Sequence, residues 1–193
     1  MKDLLHYSSL KIQYFFRLRK SRGFGIHSPF VFRLVTQVIK DDYPFYVFDL
    51  IDKKLEKYTY RDVKYAKIVY RIINELKIKS IYCKSPVFEC SKLICEHADS
   101  EHIFLSSINQ KVDDYKLVYA GDDDLEKLLE KKTIDSLKGT KTIVILNEMY
   151  KNNATMEAYN ALRAEAQVSL DLFYRALLFF DPKLQKGSYS IKV

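Results

Sequence analysis

From residue 62 onward, short apolar runs typical of β-strands alternate with single amphipathic helices. The predicted strands cover residues 79–83, 102–106, 116–120, 142–146, 168–180 and 188–193. The predicted helices between them cover residues 62–76, 87–98, 123–137 and 153–166. Strands separated by one helix are joined by parallel crossovers, so this alternation predicts a doubly wound, mostly parallel sheet. Only a short turn separates the last two strands, which predicts an antiparallel C-terminal hairpin.

Three further helices are predicted ahead of this alternation, over residues 4–20, 28–39 and 47–58. The second has the clearest start, because Ser28 is a favourable N-cap and Pro29 occupies the first helical position. We therefore divide the chain of 193 residues into an N-terminal helical extension, residues 1–60, and an α/β domain, residues 61–193.

The net charge is concentrated near the N-terminus. Residues 1–40 contain eight lysines and arginines against Asp3 alone, so this segment carries the whole net charge of +7. A basic cluster of this kind attracts phosphates or an acidic partner. Its phosphate-binding candidates are Arg17, Arg19, Lys20 and Arg22. The aromatic residues among them favour a helix that packs on a core or on a second subunit, as in a homodimer, and the local extent of the cluster disfavours nucleic acid.

Several classes of protein are not indicated by the sequence. No run approaches the roughly 18 apolar residues of a membrane span, and the N-terminus has no signal-peptide pattern. The three cysteines fit no zinc spacing, so we interpret them as thiols of a cytoplasmic protein. No P-loop, dinucleotide fingerprint or G-x-S-x-G motif is present.

Two segments carry a resemblance to a known family. Residues 19–32 contain a basic stretch that leads into His27-Ser28-Pro29-Phe30, and residues 143–180 contain Asn147-Glu148 and the run SLDLFYRALLFF. Together they resemble a bacterial branch of the class I O-methyltransferases, which use S-adenosylmethionine (SAM). The resemblance implies a Rossmann-like fold in which a mostly parallel sheet closes with an antiparallel hairpin.

The turn after the first strand departs from this family. Such methyltransferases have an acidic residue and a glycine-rich turn there, because bare backbone must approach the cofactor. The corresponding positions are Lys84, Ser85 and Pro86, and no glycine occurs between Gly25 and Gly121. The ribose-binding carboxylate of the family is replaced by Ser106 or Ser107. We therefore expect that no cofactor binds. If the protein is an active enzyme instead, the resemblance implies SAM as its cofactor.

A second departure is a deletion. Only residues 107–116 separate the strand at 102–106 from the next strand, whereas a helix with a parallel crossover takes on the order of 30 residues. We expect that the third-strand unit is missing. The predicted strand order, in methyltransferase numbering, is 2-1-4-5-7-6, with the strand at 188–193 placed between those at 142–146 and 168–180.

The remaining candidate site residues follow the fourth and fifth strands of the family. Metal-dependent members place oxygen ligands there, as magnesium prefers. Gly121 stands at the first of these positions, followed by Asp122 and Asp123, and the second position holds Asn147 and Glu148. A metal site built from Asp122 or Asp123 with Asn147 and Glu148 is one interpretation. The alternative is that the aspartates cap a helix.

Three hypotheses of function remain open on the sequence. The first is a methyltransferase-like protein that does not bind SAM and acts as a binding or assembly module. The second is an active, divergent SAM-dependent O-methyltransferase, in which Asp123 or Glu148 is catalytic and backbone near Ser85, Gly121 and Asn147 holds the cofactor. The third is an adaptor for nucleic acid or an acidic partner, acting through the basic N-terminal helix.

Overall fold

The computed structural model describes residues 12, 25–41, 43–83 and 102–193, except for the side chain of Asp122. The predicted helices at 4–20, apart from residue 12, and at 87–98 lie outside these ranges. None of the helices in the described ranges has the length and apolarity that crossing a membrane requires.

Within residues 25–79, three α-helices precede the sheet. Helix α1, Pro29–Arg33, begins after Ser28, whose hydroxyl accepts a hydrogen bond from the Val31 amide, and the chain continues as a π-helix over Leu34–Ile39. Helix α2 covers Tyr46–Lys54 and helix α3 covers Tyr60–Glu75. The predicted start at Ser28 and Pro29 is confirmed.

Seven strands form one mixed sheet. They are β1 (Ser80–Cys83), β2 (Ile103–Phe104), β3 (Lys116–Ala120), β4 (Thr142–Asn147), β5 (Val168–Asp171), β6 (Arg175–Phe179) and β7 (Gly187–Ser190). Their order is β2-β1-β3-β4-β6-β5-β7. Strand β6 is antiparallel to both of its neighbours, and every other pairing is parallel. The predicted α/β fold with an antiparallel C-terminal region is confirmed.

The prediction of one strand over residues 168–180 is wrong. The chain turns between Asp171 and Arg175, so β5 and β6 are two antiparallel strands. The Asp171 carboxylate accepts a hydrogen bond from the Phe173 amide at 2.8 Å and holds this turn. The expected place of the last strand beside β4 is also wrong, because β6 pairs with β4 and β7 pairs with β5 at the outer edge.

The face of the sheet opposite α1, α2 and α3 is covered by helices from the second half of the chain. A 3₁₀ turn at Asp122–Asp124 leads into α4 (Leu125–Leu129) and α5 (Lys131–Leu137), and α6 covers Asn153–Glu165. The prediction of one helix over 123–137 is wrong, because Glu130 has extended backbone (φ −60°, ψ 127°). Gly139, with φ +70°, follows the end of α5 as predicted.

The connection from β2 to β3 contains neither a helix nor a strand, as the predicted deletion requires. Lys116 is 3% exposed, and its ammonium donates hydrogen bonds to the carbonyls of Ile108 (2.8 Å) and Gln110 (3.0 Å). These bonds fix the short connection against β3, although burial lowers the pKa of the Lys116 ammonium.

Alternate strand residues point to opposite faces, and each face has its own hydrophobic core. Ile143 and Ile145 pack with buried side chains of α1, α2 and α3, whereas Val144 and Leu146 pack with those of α4 and α6. The described part of the predicted extension therefore shares a core with the sheet. Its division from the rest of the chain at residue 60 stays a prediction.

Candidate functional site

The parallel strands β1, β3, β4 and β5 end along one edge of the sheet, which we call the carboxyl edge. Ligands of doubly wound proteins bind outside this edge. Strand β4 ends there at Asn147 and β5 ends there at Asp171, while the antiparallel β6 begins there at Arg175. The polar side chains of this edge are the candidates for function.

Arg175 is a deeply buried charged group at the carboxyl edge, at 4% exposed. Its Nε donates to Asn147 Oδ1 at 2.7 Å, and its Nη2 lies 3.4 Å from Asp62 Oδ1 on α3. The guanidinium also lies 4.6 Å from the centre of the Tyr65 ring. Because a buried guanidinium needs both counter-charge and acceptors, this arrangement commits the Asn147 amide oxygen to Arg175.

Glu148 follows directly and has two cationic partners. Its Oε1 lies 3.3 Å from Arg61 Nη2, and its Oε2 lies 3.9 Å from Lys151 Nζ. Arg61 is also stacked over the Tyr174 ring, with 4.3 Å from guanidinium carbon to ring centre. The backbone of Glu148 has φ +46°, and its amide donates to the Tyr174 carbonyl at 2.7 Å.

The turn between β5 and β6 contains a second residue in the left-handed region, Phe173, with φ +74°. This conformation costs about 1–3 kcal/mol for a residue other than glycine, and it persists only where surrounding contacts enforce it. The contacts are supplied by Asp171, which accepts from the Phe173 amide at 2.8 Å and from the Tyr150 hydroxyl at 2.7 Å. Strained residues of this kind gather at functional sites.

A half-open pocket of about 260 Å³, which we call the edge pocket, lies beside these residues. It is lined by Glu148, Tyr150, Lys151, Phe173 and Tyr174. Both strained residues of the carboxyl edge, Glu148 and Phe173, lie in its wall. The edge pocket therefore combines aromatic rings, one carboxylate and one ammonium group at the place where this type of fold binds ligands.

Asp124, the third aspartate after β3, has a structural position. It is 3% exposed, and it accepts hydrogen bonds from the Tyr82 hydroxyl at 3.0 Å and from the Gly121 amide at 3.2 Å. Burial, and then the bond to Asp124, raise the pKa of Tyr82 above its ordinary value. Asp124 is the N-cap residue of α4, but its side chain bonds back to Gly121 and makes no cap bond to the helix, so side-chain capping by this residue is not confirmed.

The structure brings some of the predicted site residues together and leaves others apart. Asn147 and Glu148 adjoin at the end of β4, Asp123 is exposed in the 3₁₀ turn, and the Ser106 hydroxyl lies 3.5 Å from Gln110 Oε1. The side chain of Asp122 lies outside the described structure. So do Lys84, Ser85, Pro86, Arg17, Arg19, Lys20 and Arg22.

Sequence reasoning missed Arg175, Arg61 and Asp171. The sequence did contain a signal for Arg175, because it is the one charged residue in the apolar run RALLFF. The sequence contained no such signal for Arg61, because its contact with Glu148 joins residues that are 87 positions apart in the chain.

The oxygen atoms at the end of β4 do not suit a divalent cation in this arrangement. Asn147 Oδ1 and both Glu148 oxygens face guanidinium or ammonium groups, whose charge opposes that of a metal ion. In the described ranges, no group of three or more His, Cys, Asp or Glu residues is placed to hold a metal. Comparisons of this chain with protein-family models, with curated proteins and with solved structures give no match.

Proposed function

We propose that this chain is a methyltransferase-like protein in which binding or assembly has replaced methyl transfer. The fold supports the methyltransferase-like part. Six strands run in one direction and β6 alone runs in the other, next to β4, in a sheet with helices on both faces. This is the layout that the sequence resemblance implies, apart from the absent third-strand unit and the added edge strand β7.

The observation that carries the proposal is the set of cations bound to the end of β4. Arg175 holds Asn147, and Arg61 and Lys151 hold Glu148. A methyltransferase of this family would need these oxygens for a metal or for catalysis. SAM is itself a sulfonium cation, so cationic side chains nearby raise the free energy of binding it.

Two other features of the sequence also disfavour the binding of SAM. The residues that follow β1 contain Lys84 and no glycine, and the positions after β2 hold Ser106 and Ser107 in place of a carboxylate. Bulky side chains in the turn would occupy the space of the cofactor, and no carboxylate would accept from the ribose hydroxyls. The residues at these positions do not fit SAM.

The experiment is a titration of the purified chain with SAM, and separately with S-adenosylhomocysteine, followed by the thermal unfolding midpoint. A ligand at a hundred times its dissociation constant would stabilise the protein by about 2.7 kcal/mol. We expect no change of the midpoint with either compound. A saturable rise, or transfer of a labelled methyl group to any acceptor, would overturn the proposal and favour the divergent enzyme.

The assembly part of the proposal is supported by the edge strand β2. In the described structure β2 pairs only with β1, and its Ile103 and Phe104 are 62% and 43% exposed. The backbone groups on the outer side of an edge strand can pair with a strand of another chain, and β2 contributes two residues to such a pairing. Among the described residues no strand lies on the outer side of β2, and a second copy of the chain offers the same strand.

Light scattering tests the assembly part. We expect the mass of a dimer for the natural chain and that of a monomer for Ile103→Lys, because a charged side chain blocks edge pairing. Tyr43→Lys, at an exposed loop position, is the control and is expected to remain dimeric. A natural chain that is monomeric, or an Ile103→Lys chain that is still dimeric, would contradict pairing through β2.

A further inference from the structure

A second pocket, of about 390 Å³, lies at the other end of β5 from the carboxyl edge. It is formed by the last turns of α6, the start of β5 and the start of β7. We call it the outer pocket, because β7 is the last strand at this side of the described sheet. Its polar lining comes from Asn160 and Arg163 of α6, Ser169 of β5, and Lys186 and Ser188 at β7. Three elements therefore supply polar groups to one cavity.

The outer pocket is positively charged. Arg163 and Lys186 line it, and none of its described lining residues is acidic. Within the described ranges neither cation forms an ion pair, and the neighbouring Glu165 is paired with Lys138 at 3.1 Å. The Arg163 guanidinium carbon lies 5.9 Å from the centre of the Tyr159 ring, a contact that uses none of its N–H donors. Both cations can therefore pair with an anion.

The end of helix α6 contributes a smaller charge of the opposite sign. The carbonyl end of a helix carries roughly half a negative charge. Lys186 offsets this charge, because its ammonium donates to the Ala164 carbonyl at 3.3 Å. An ammonium group has three donors, so this bond leaves two of them for a ligand. The two full positive charges exceed that of the helix end, and the outer pocket still attracts an anion.

Two serine hydroxyls supply a further donor on the sheet side of the outer pocket. Ser169, which is 2% exposed, and Ser188 are paired residues of β5 and β7, and their hydroxyl oxygens lie 2.7 Å apart. Two hydroxyls have two protons, and the bond between them uses one. Whichever serine donates in that bond, the other keeps a proton that it can donate to a ligand.

This set of donors suits a phosphoryl group better than a carboxylate. A carboxylate has two oxygens in one plane, whereas a phosphoryl group has three terminal oxygens and a charge between about −1.5 and −2 at neutral pH. Arg163, Lys186 and the serine pair approach from three elements, and the two cations match that charge. A guanidinium can also bind two phosphoryl oxygens at once.

The volume of the outer pocket exceeds that of a phosphoryl group alone. Phosphate has five heavy atoms and takes at most about 150 Å³, if each atom is given the roughly 30 Å³ of a water molecule. The outer pocket, at about 390 Å³, therefore leaves room for the organic part of an ester. Asn160 offers that part an amide, and the described lining contains no apolar side chain larger than alanine. A polar alcohol is favoured over a lipid or an aromatic group.

We propose that the outer pocket binds a small, soluble phosphate monoester of a polar alcohol. Arg163 and Lys186 pair with phosphoryl oxygens, the free hydroxyl proton of the serine pair is donated to a third oxygen, and Asn160 bonds to the alcohol part. The site is separate from the carboxyl edge, so it does not depend on the loss of methyl transfer.

Isothermal titration with three probes tests the proposal. The probes are glycerol 3-phosphate, glycerate, which has a carboxylate in place of the phosphoryl group, and inorganic phosphate, which lacks the alcohol part. We expect glycerol 3-phosphate to bind most tightly. Glycerate should bind about tenfold more weakly or less tightly still, the factor that corresponds to one charge-assisted hydrogen bond. Inorganic phosphate should also be weaker than the ester, because it makes no contact in place of the alcohol.

Three variants assign the donors. Arg163→Gln and Lys186→Gln are each expected to weaken the binding of glycerol 3-phosphate by about 10- to 100-fold, and Ser188→Ala by about two- to tenfold, since its bond is uncharged. Lys183→Gln, at an exposed lysine outside the outer pocket, is the matched control and should bind like the natural chain. Circular dichroism of each variant verifies that it is folded.

A phosphate monoester can also be the headgroup of a lipid, and sedimentation with vesicles of phosphatidylcholine and phosphatidic acid separates the two sources. We expect the natural chain and Arg163→Gln to sediment to the same extent. Sedimentation that Arg163→Gln abolishes would assign the outer pocket to a lipid and overturn the proposal. Absence of heat with glycerol 3-phosphate, equal binding of inorganic phosphate and the ester, or equal effects of Arg163→Gln and Lys183→Gln would also overturn it.

Discussion

Arg175 shows how one buried charge organises the end of the sheet. A guanidinium loses its hydration on burial, and that cost is offset only when acceptors and counter-charge surround it. Asn147, Asp62 and the ring of Tyr65 supply them, and Asp62 belongs to a helix 113 residues earlier in the chain. The same bonds therefore join α3 to the sheet and remove Asn147 from the set of available ligands.

A second buried polar contact, between Tyr115 and Asp181, makes the stability of the protein depend on pH. The Tyr115 hydroxyl donates to Asp181 Oδ2 at 2.8 Å, and Asp181 is 5% exposed. Burial, and then this bond to a carboxylate, raise the pKa of Tyr115 from 10.0 to about 12. Since the unfolded tyrosine ionises first, the folded state holds more protons between these values, and alkaline pH favours unfolding.

Tyr115→Phe is expected to lose about 1 kcal/mol of stability at neutral pH, since Asp181 loses a donor. The deficit relative to the natural chain should shrink as the pH rises from 10.0 towards about 12, because the natural chain loses its advantage there. Urea unfolding at several pH values measures this difference. Tyr43→Phe, at an exposed position, is the control for the removal of a phenol. A deficit that is constant across this range would contradict the prediction.

At the scale of elements, helix α3 ends in a left-handed turn without the usual glycine. The Ile78 amide bonds to the Ile73 carbonyl at 3.0 Å, and the exposed Lys77 between them has φ +50°. This is the hydrogen-bond pattern of a Schellman motif, in which glycine is favoured at the left-handed position. The buried Ile78 holds the turn in place at the cost of strain in Lys77.

Lys77→Gly is expected to stabilise the protein by about 0.5–1 kcal/mol, because relief of the left-handed strain exceeds the added entropy of the unfolded chain. The matched change Lys79→Gly, at an exposed residue without positive φ, should destabilise by a similar amount. Chemical denaturation of both variants measures the two effects. Equal destabilisation by both glycines would show that Lys77 is not strained.

At the scale of the whole molecule, the sheet needs the helices that precede it. The ring of Phe30 packs edge to face on Phe179 in β6, with centres 5.4 Å apart, and the buried Val31 and Ile51 belong to the same core as Ile143. A sheet buried on both faces cannot lose one layer without exposing a large apolar area.

A chain that starts at residue 61 is therefore expected not to fold to a cooperative structure, although the sequence pattern places a domain boundary there. Thermal unfolding followed by near-ultraviolet circular dichroism, compared with the full chain, measures this. A sharp transition with native tertiary signal in the shortened chain would show instead that residues 61–193 form a domain of their own.

Local patterns in the sequence were sufficient for most of the fold. The cap at Ser28, the helix stop at Gly139 and the strand at residues 116–120 were predicted at their observed positions. Alternation of single helices and apolar runs predicted a mostly parallel sheet. The short connection of residues 107–116 predicted that the third-strand unit is missing. These signals depend on contacts between residues that are close in the chain, so they can be read without knowledge of the packing.

The tertiary structure decided which side chains meet at the carboxyl edge of the sheet, where we place the function. The turn at Phe173 interrupts a run that is apolar throughout, because the Asp171 carboxylate and the packing of Tyr150 enforce a conformation that phenylalanine does not favour by itself. The bonds from Arg61 to Glu148 and from Arg175 to Asp62 span 87 and 113 residues. The sequence determined most of the elements, except the turn at Phe173 and the break at Glu130, and it determined that they form a doubly wound, mostly parallel sheet. Only folding decided which charges meet, because each of those pairs depends on the placement of whole elements and not on any local preference.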